Sequence, residues 1–232
     1  MDDMTSIDPV EADQEVGPDI VFSIGEDVSV ISDPNGMEAE SISALRTHLI
    51  AKHIQEGRRG LTICACDQDD RAVWLAVNLA VSLAQANVRT LLIDCDLRAP
   101  RVHRFIEPSV EVPGLRNLLE DDTLNVGAAI QAEVLPGLAV MYAGGASDNA
   151  QELIFGNRFA QTIDMCLRDF DVSIAVPPPS KSYADFRHIA RLLRYALIVA
   201  RKDTTLIADA KTLVNELTLD GARVVGSVYN AF

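Results

Sequence analysis

The sequence predicts a doubly wound α/β domain built on a mostly parallel sheet. Three observations lead there. Short, continuous apolar runs such as LTICAC (61–66) and TLLIDC (90–95) are the mark of strands buried on both faces. Between those two runs lies RAVWLAVNLAVSLAQA (71–86), an apolar stretch of helical length. The alternation of strand-like and helix-like segments then continues to the end of the chain, as a sheet covered by helices on both faces requires.

In chain order, a helix is expected over MEAESISALRTHLIAKHI (37–54), where Ile42, Leu45, Leu49 and Ile54 recur near helical spacing. GRRG interrupts it, and the strand 61–66, the helix 71–86 with its Ala/Leu/Val face, and the strand 90–95 follow. Further strands are expected at LAVMYA (138–143), VSIAV (172–176), YALIVA (195–200) and RVVGSVYN (223–230). The intervening segments 114–120, 149–168, 184–194 and 204–219 read as helices. In this fold class ligands sit beyond the carboxyl ends of the strands, so the chemistry should lie just after each apolar run.

Charge divides the chain. Its 232 residues carry a net charge of −14, but residues 1–45 alone hold twelve acidic residues and no Lys or Arg. The remainder is nearly neutral. The acidic segment 1–36 is expected to be a disordered tail, since it has too little apolar surface to offset its ordering entropy, and 37–232 to be the folded domain. No basic stripe suggests nucleic acid, no apolar run is long enough to span a bilayer, and nothing resembles a signal peptide. The expectation is therefore a cytoplasmic protein without membrane insertion, reaching the inner face of the membrane only through a protein partner. Cys64, Cys66, Cys95 and Cys166 lie in apolar runs without metal-ligand spacing and read as small core residues. No metal site is expected.

Three strand exits carry the candidate chemistry. The first is CDQDDRA (66–72), where a phosphate loop would place glycines, a lysine and a hydroxyl; it has none of these. Asp67, Asp69 and Asp70 repel a triphosphate, and Arg71 supplies one positive charge near the helix start. The other reading of Arg71 is a first-turn residue paired with a neighbouring aspartate. The second exit, LLIDCDLRAPRVHRF (91–105), sets Asp94 and Asp96 at alternate positions ahead of Arg98, Arg101, His103 and Arg104. Such a set suits a metal-bound phosphate, or a salt-bridged strand exit that holds its own loop in shape. The third exit, VSIAVPPPSKSY (172–183), ends in Val176 and three prolines, with no acid to hold Mg²⁺.

These blocks together resemble the cytoplasmic, P-loop-type domain of the bacterial tyrosine kinases (BY-kinases), a branch of the wider MinD/ParA-like group. LLIDCDLRAPRVHRF is similar to that family's second Walker-type motif; EAESISALRTHL, NLAVSLAQANVRTLLID, PGLRNLL, AGGASDNAQELI and GARVVGSVYN fall in the expected order over 37–230. Aligned through Asn78-Leu79-Ala80, the family's Gly-Lys-Ser-Thr falls on Arg71, Ala72, Val73 and Trp74, and the acid of its strand-end Ile-Asp-Thr-Pro-Pro falls on Val176. The resemblance implies that Glu40 and Arg46 belong to a ring-forming helix, whose first arginine is here Ser43. It also implies that Asp94, Asp96, Arg98 and Asn230, with Arg71, mark a residual nucleotide site. Trp74 is expected to cover that site, and Tyr229 to be core.

The function so implied is a non-catalytic accessory protein of exopolysaccharide or surface-adhesin polysaccharide export, with no cofactor and no catalytic residue. Its partner would be a membrane polysaccharide co-polymerase of the chain-length-determinant type, or a related tyrosine kinase, and it would be a possible homo-oligomer. The alternative is a divergent tyrosine autokinase or ATPase that uses ATP and Mg²⁺. A MinD/ParA-like positioning protein is the third reading, against which stand the missing basic membrane helix and DNA-binding patch.

Overall fold

The computed structural model describes residues 20–67 and 70–230, the side chain of Asn230 apart. The chain opens with β1 (Phe22–Ile24), α1 (Ser29–Ser32) and α2 (Met37–Leu49), whose last turn runs into a π-helical turn at Ile50–Ile54. Then come β2 (Gly60–Ala65), α3 (Arg71–Gln85), β3 (Thr90–Asp94), a 3₁₀ turn at Val102–Arg104, and β4 (Ile106–Pro108). The middle of the chain forms α4 (Leu115–Glu120), α5 (Val126–Ala129), β5 (Gln131–Leu135), β6 (Leu138–Met141), α6 (Ala150–Phe155) and α7 (Asn157–Asp169). It closes with β7 (Val172–Val176), α8 (Asp185–Leu193), β8 (Tyr195–Arg201), α9 (Ile207–Leu219) and β9 (Arg223–Asn230).

Seven strands form one sheet in the order β5-β6-β3-β7-β2-β8-β9, parallel throughout except for β5, which runs antiparallel to β6. The doubly wound, mostly parallel expectation holds. Strand side chains alternate between two layers, as the two-residue period of a strand demands. Leu61, Ile63, Leu92 and Ile174 face α2 and α3, whereas Leu91, Ile93 and Ala175 face α4, α6, α7 and α8. Cys64, Cys66 and Ile198 pack under α8 and α9. All four cysteines are buried and free, as their apolar context implied. Apart from Trp74, α3 is buried from Ala72 to Ala84, because its Ala, Leu and Val side chains are sandwiched between the sheet and α2.

Gly60 permits the start of β2. A Cβ there would lie 2.3 Å from the carbonyl oxygen of Leu193, a backbone atom with nowhere to move. The helix expected over 149–168 is instead two helices, because Gly156 adopts an extended conformation (φ −67°, ψ 150°) that ends α6 and caps the start of α7.

The expected boundary at residue 36 is corrected in part. Residues 1–19 lie outside the described residues, but 20–36 are packed: β1 pairs antiparallel with β4, and Val28 and Val30 are buried in the core. The apolar residues of IVFSIGEDVSVIS are sufficient to anchor this stretch, which its acidic neighbours disguised. Tyr229 is also corrected. It is 64% exposed, because β9 is the edge of the sheet and its outward positions have nothing above them. Among the described residues, no helix is long and apolar enough to cross a membrane.

Candidate site at the strand carboxyl ends

The sheet order sets β3, β7 and β2 side by side, so the three strand exits singled out in the sequence meet at one mouth. Asp94 ends β3 and is 2% exposed. One carboxylate oxygen accepts hydrogen bonds from the backbone N–H groups of Arg101 (2.9 Å) and Val102 (3.0 Å), and the other accepts from Asp96 N–H (3.2 Å). Burial pushes its pKa up to about 6 despite those donors, which pull the other way. Asp96, 3% exposed, accepts from the N–H groups of Arg98 (3.2 Å) and Ala99 (3.0 Å), and its second oxygen meets the Arg101 guanidinium at 3.4 Å. Arg101 also reaches Asp70 at 3.2 Å, and Arg104 meets the same aspartate at 3.6 Å. The acids and arginines of the second exit therefore fold their own loop and tie it to the first.

The third exit is tied to the first. Beyond Val176 and the prolines, Ser180 N–H donates to the carbonyl of Ala65 (3.0 Å) and Lys181 N–H to that of Cys66 (3.2 Å). Lys181 Nζ then lies 2.8 Å from Asp67, in the segment where a phosphate loop would run, and 2.6 Å from Asp209 in the first turn of α9. Hydrogen bonds to Asp209 and then Asp67 hold its ammonium well above the usual lysine pKa, so it is a fixed cation. Two residues on, the Arg98 guanidinium lies over the Tyr183 ring at 4.2 Å and pairs with Asp185, a carboxylate that is 2% exposed at the start of α8. Arg98 thus staples the end of this loop as Lys181 staples its middle.

The remaining predicted residues lie elsewhere. Arg71 is half-buried at the start of α3 and, with Trp74, lines a cleft of about 710 Å³ that shares Asp70 with the strand mouth and is also lined by Glu26, Asp27, Asp33 and Glu38. Trp74 stands beside Arg71 in that cleft. Asn78, 0% exposed, does more than mark register. Its side chain accepts from Val30 N–H (3.2 Å) and donates to the carbonyls of Asp27 (3.2 Å) and Trp74 (3.0 Å), clamping the early segment onto α3. On α2, Glu40 is exposed, whereas Arg46 turns inward to the hydroxyl (3.1 Å) and carbonyl (3.3 Å) of Ser82. Asn230 ends β9 with its backbone paired to Arg201. Among the described residues, no group of three or more His, Cys, Asp or Glu side chains is arranged to hold a metal ion.

Lys181, Tyr183, Asp185 and Asp209 were missed in the sequence. The available signal was SKSYAD directly after a predicted strand and three prolines, a rigid exit carrying one cation.

No family model matches the chain. It is 27% identical over 197 residues to CapB of Staphylococcus aureus, which bears a tyrosine-protein kinase name, covering 85% of this chain and 86% of that protein. It is 26% identical over 203 residues to the tyrosine-protein kinase ptk of Acinetobacter johnsonii, covering 88% of this chain but only 27% of that longer protein. Among solved structures, the chimerical protein CapA2B2 superposes with a TM-score of 0.80 at 23% identity, covering 90% of this chain and 91% of that one. The kinase domain of the Escherichia coli tyrosine kinase ETK gives 0.79 at 23% identity, covering 88% and 79%. The septum site-determining protein MinD of Pyrococcus horikoshii, complexed with Mg-ADP, gives 0.61 at 17% identity, covering 75% and 70%.

Proposed function

Taking as premise that the chain is a relative of the bacterial tyrosine kinases, with their fold, we propose that it is a non-catalytic member of that group. It acts in exopolysaccharide or surface-polysaccharide export by binding a membrane co-polymerase of the chain-length-determinant type, or a related kinase, at the cytoplasmic face of the membrane. The observation that carries this reading is that the charged side chains of the strand mouth pair with one another. Lys181 pairs with Asp67, just after the end of β2 where a phosphate loop would begin, and with Asp209. Phosphoryl transfer rests on a glycine-loop cradle, a lysine and a coordinated Mg²⁺ to stabilise developing charge. The resemblance puts Arg71, Ala72, Val73 and Trp74 at those positions, and Ala72 is buried.

The carboxylates are also a poor fit to Mg²⁺. That ion favours carboxylate oxygens open to its water shell, whereas Asp94 and Asp96 direct theirs at backbone N–H groups and Arg101. No catalytic step is therefore derived through Mg-ATP. One observation favours the second reading, a divergent autokinase or ATPase: Arg71 lines a cleft of nucleotide size, about 710 Å³. The five acids that line it would repel a triphosphate, which is why this reading ranks second.

The test has two arms. Purified protein incubated with labelled Mg-ATP should acquire no phosphotyrosine, and a tagged co-polymerase from the same cell should co-purify with it, identified by mass spectrometry. Phosphate incorporation that Asp94→Ala abolishes would replace the proposal with the kinase reading. Failure of every co-polymerase and kinase of that cell to co-purify would remove the accessory role.

A further inference from the structure

Along the first half of the edge strand β9, the end of α2 and its π-helical turn enclose with it a cleft of about 280 Å³. His48, Lys52, His53 and Arg58 line it from the helix side, Arg223 and Ser227 from β9, over a floor of aliphatic side chains. No acidic residue lines it, in a chain whose net charge is −14. Like charges gathered in one cleft carry a repulsive cost that an anion would relieve.

The cations are held unequally. Arg58 is fixed: it donates to the Lys52 carbonyl (2.7 Å), pairs with Glu56, and lies 5.4 Å from the centre of the Tyr195 ring. Lys52 and Arg223 are exposed and make no ion pair among the described residues. His53 is a second, independent observation. It is 2% exposed, its Nε2 meets the Gly60 carbonyl at 2.9 Å, and its Nδ1 has no partner. A carbonyl accepts, so Nε2 carries the proton and Nδ1 is left as an acceptor; burial, which lowers the pKa of this imidazole, keeps it so. A buried acceptor without a donor is costly, and a ligand hydroxyl would satisfy it.

We infer that this cleft binds a small phosphate-bearing polyol of the sugar-phosphate class, with Lys52 and Arg223 meeting the phosphate, His53 accepting from a hydroxyl, and the aliphatic floor lying under the carbon skeleton. The volume is near the lower end of small-molecule sites and suits a phosphorylated monosaccharide better than a macromolecule. The inference stands apart from the reading of the strand mouth, since it shares no residue with it.

Calorimetric titration of the whole chain tests it, with glucose 1-phosphate, inorganic phosphate and glucose as probes and no Mg²⁺ present. Glucose 1-phosphate should bind saturably, inorganic phosphate about tenfold or more weakly, and glucose not at all, each tenfold step being about 1.4 kcal/mol. Lys52→Gln with Arg223→Gln, both at exposed positions that leave the fold intact, should weaken glucose 1-phosphate by about tenfold or more, while Lys181→Ala should leave it unchanged. The inference is overturned if glucose 1-phosphate fails to bind, if inorganic phosphate binds as tightly, or if the double variant binds like the parent.

Discussion

Substituting Asp94 by Asn should change the slope of stability against pH. In the folded protein burial raises the Asp94 pKa to about 6. In the unfolded chain it is about 3.9, so the folded state binds the extra proton between those values. Stability from this group is therefore complete below the unfolded pKa and is lost as pH rises through about 6. The full span is about 3 kcal/mol, of which about 2 kcal/mol falls between roughly pH 4.5 and 7.5.

Two imidazoles act with the opposite sign in the same window. Burial lowers the pKa of both His53 and His188, so their contribution grows as pH rises. The parent's own slope is thus a mixture, and only the difference between parent and Asp94→Asn isolates the carboxyl. Asn also places an amide donor against one of the three N–H groups that Asp94 accepts from, costing about 1–2 kcal/mol at all pH values. Urea denaturation of both proteins at a series of pH values, with equal m-values as the check on two-state behaviour, should show the penalty of Asn shrinking by about 2 kcal/mol from roughly pH 4.5 to 7.5. Parallel curves would refute the reasoning, because they would mean that Asp94 ionises as an ordinary, solvated carboxylate open to a ligand.

Three further outcomes are expected. Asn78→Ala should cost about 2–3 kcal/mol, since it strands Val30 N–H and the Asp27 carbonyl, and should speed proteolytic cleavage ahead of Met37; an unchanged cleavage rate would dissociate Asn78 from the early segment. Gly60→Ala should lose about 1–3 kcal/mol in the same denaturation assay because its Cβ meets the Leu193 carbonyl, whereas a neutral result would show that the end of α8 gives way. Ala72→Lys should destabilise by about 1–3 kcal/mol by burying an ammonium, without conferring Mg-ATP binding; gain of binding from this one change would mean that the mouth is open.

The central sheet was legible because burial on both faces leaves uninterrupted apolar runs, as in LTICAC and TLLIDC, and because α3 has a composition that only a buried helix tolerates. The short elements were not. β1, β4 and β5 are three to five residues long and take their pairing from partners distant in sequence, which no local period encodes. At the site, Asp94, Asp96, Arg98 and Arg101 could be picked out because they leave one strand together. Lys181 could not, since its meaning comes from Asp67 and Asp209, whose approach is a product of the strand order. Arg46 shows the converse: its place in a helix was readable, but its hydrogen bonds to Ser82 required the packing of α2 on α3.

Calorimetric titration of the whole chain with Mg-ATP bears most directly on the claim that the charged side chains of the strand mouth pair with one another rather than with a nucleotide. The account predicts no Mg²⁺-dependent saturable binding in the parent protein. Tight binding that needs Mg²⁺ and disappears in Asp94→Asn, but persists when Lys52 and Arg223 are both replaced by Gln, would contradict it.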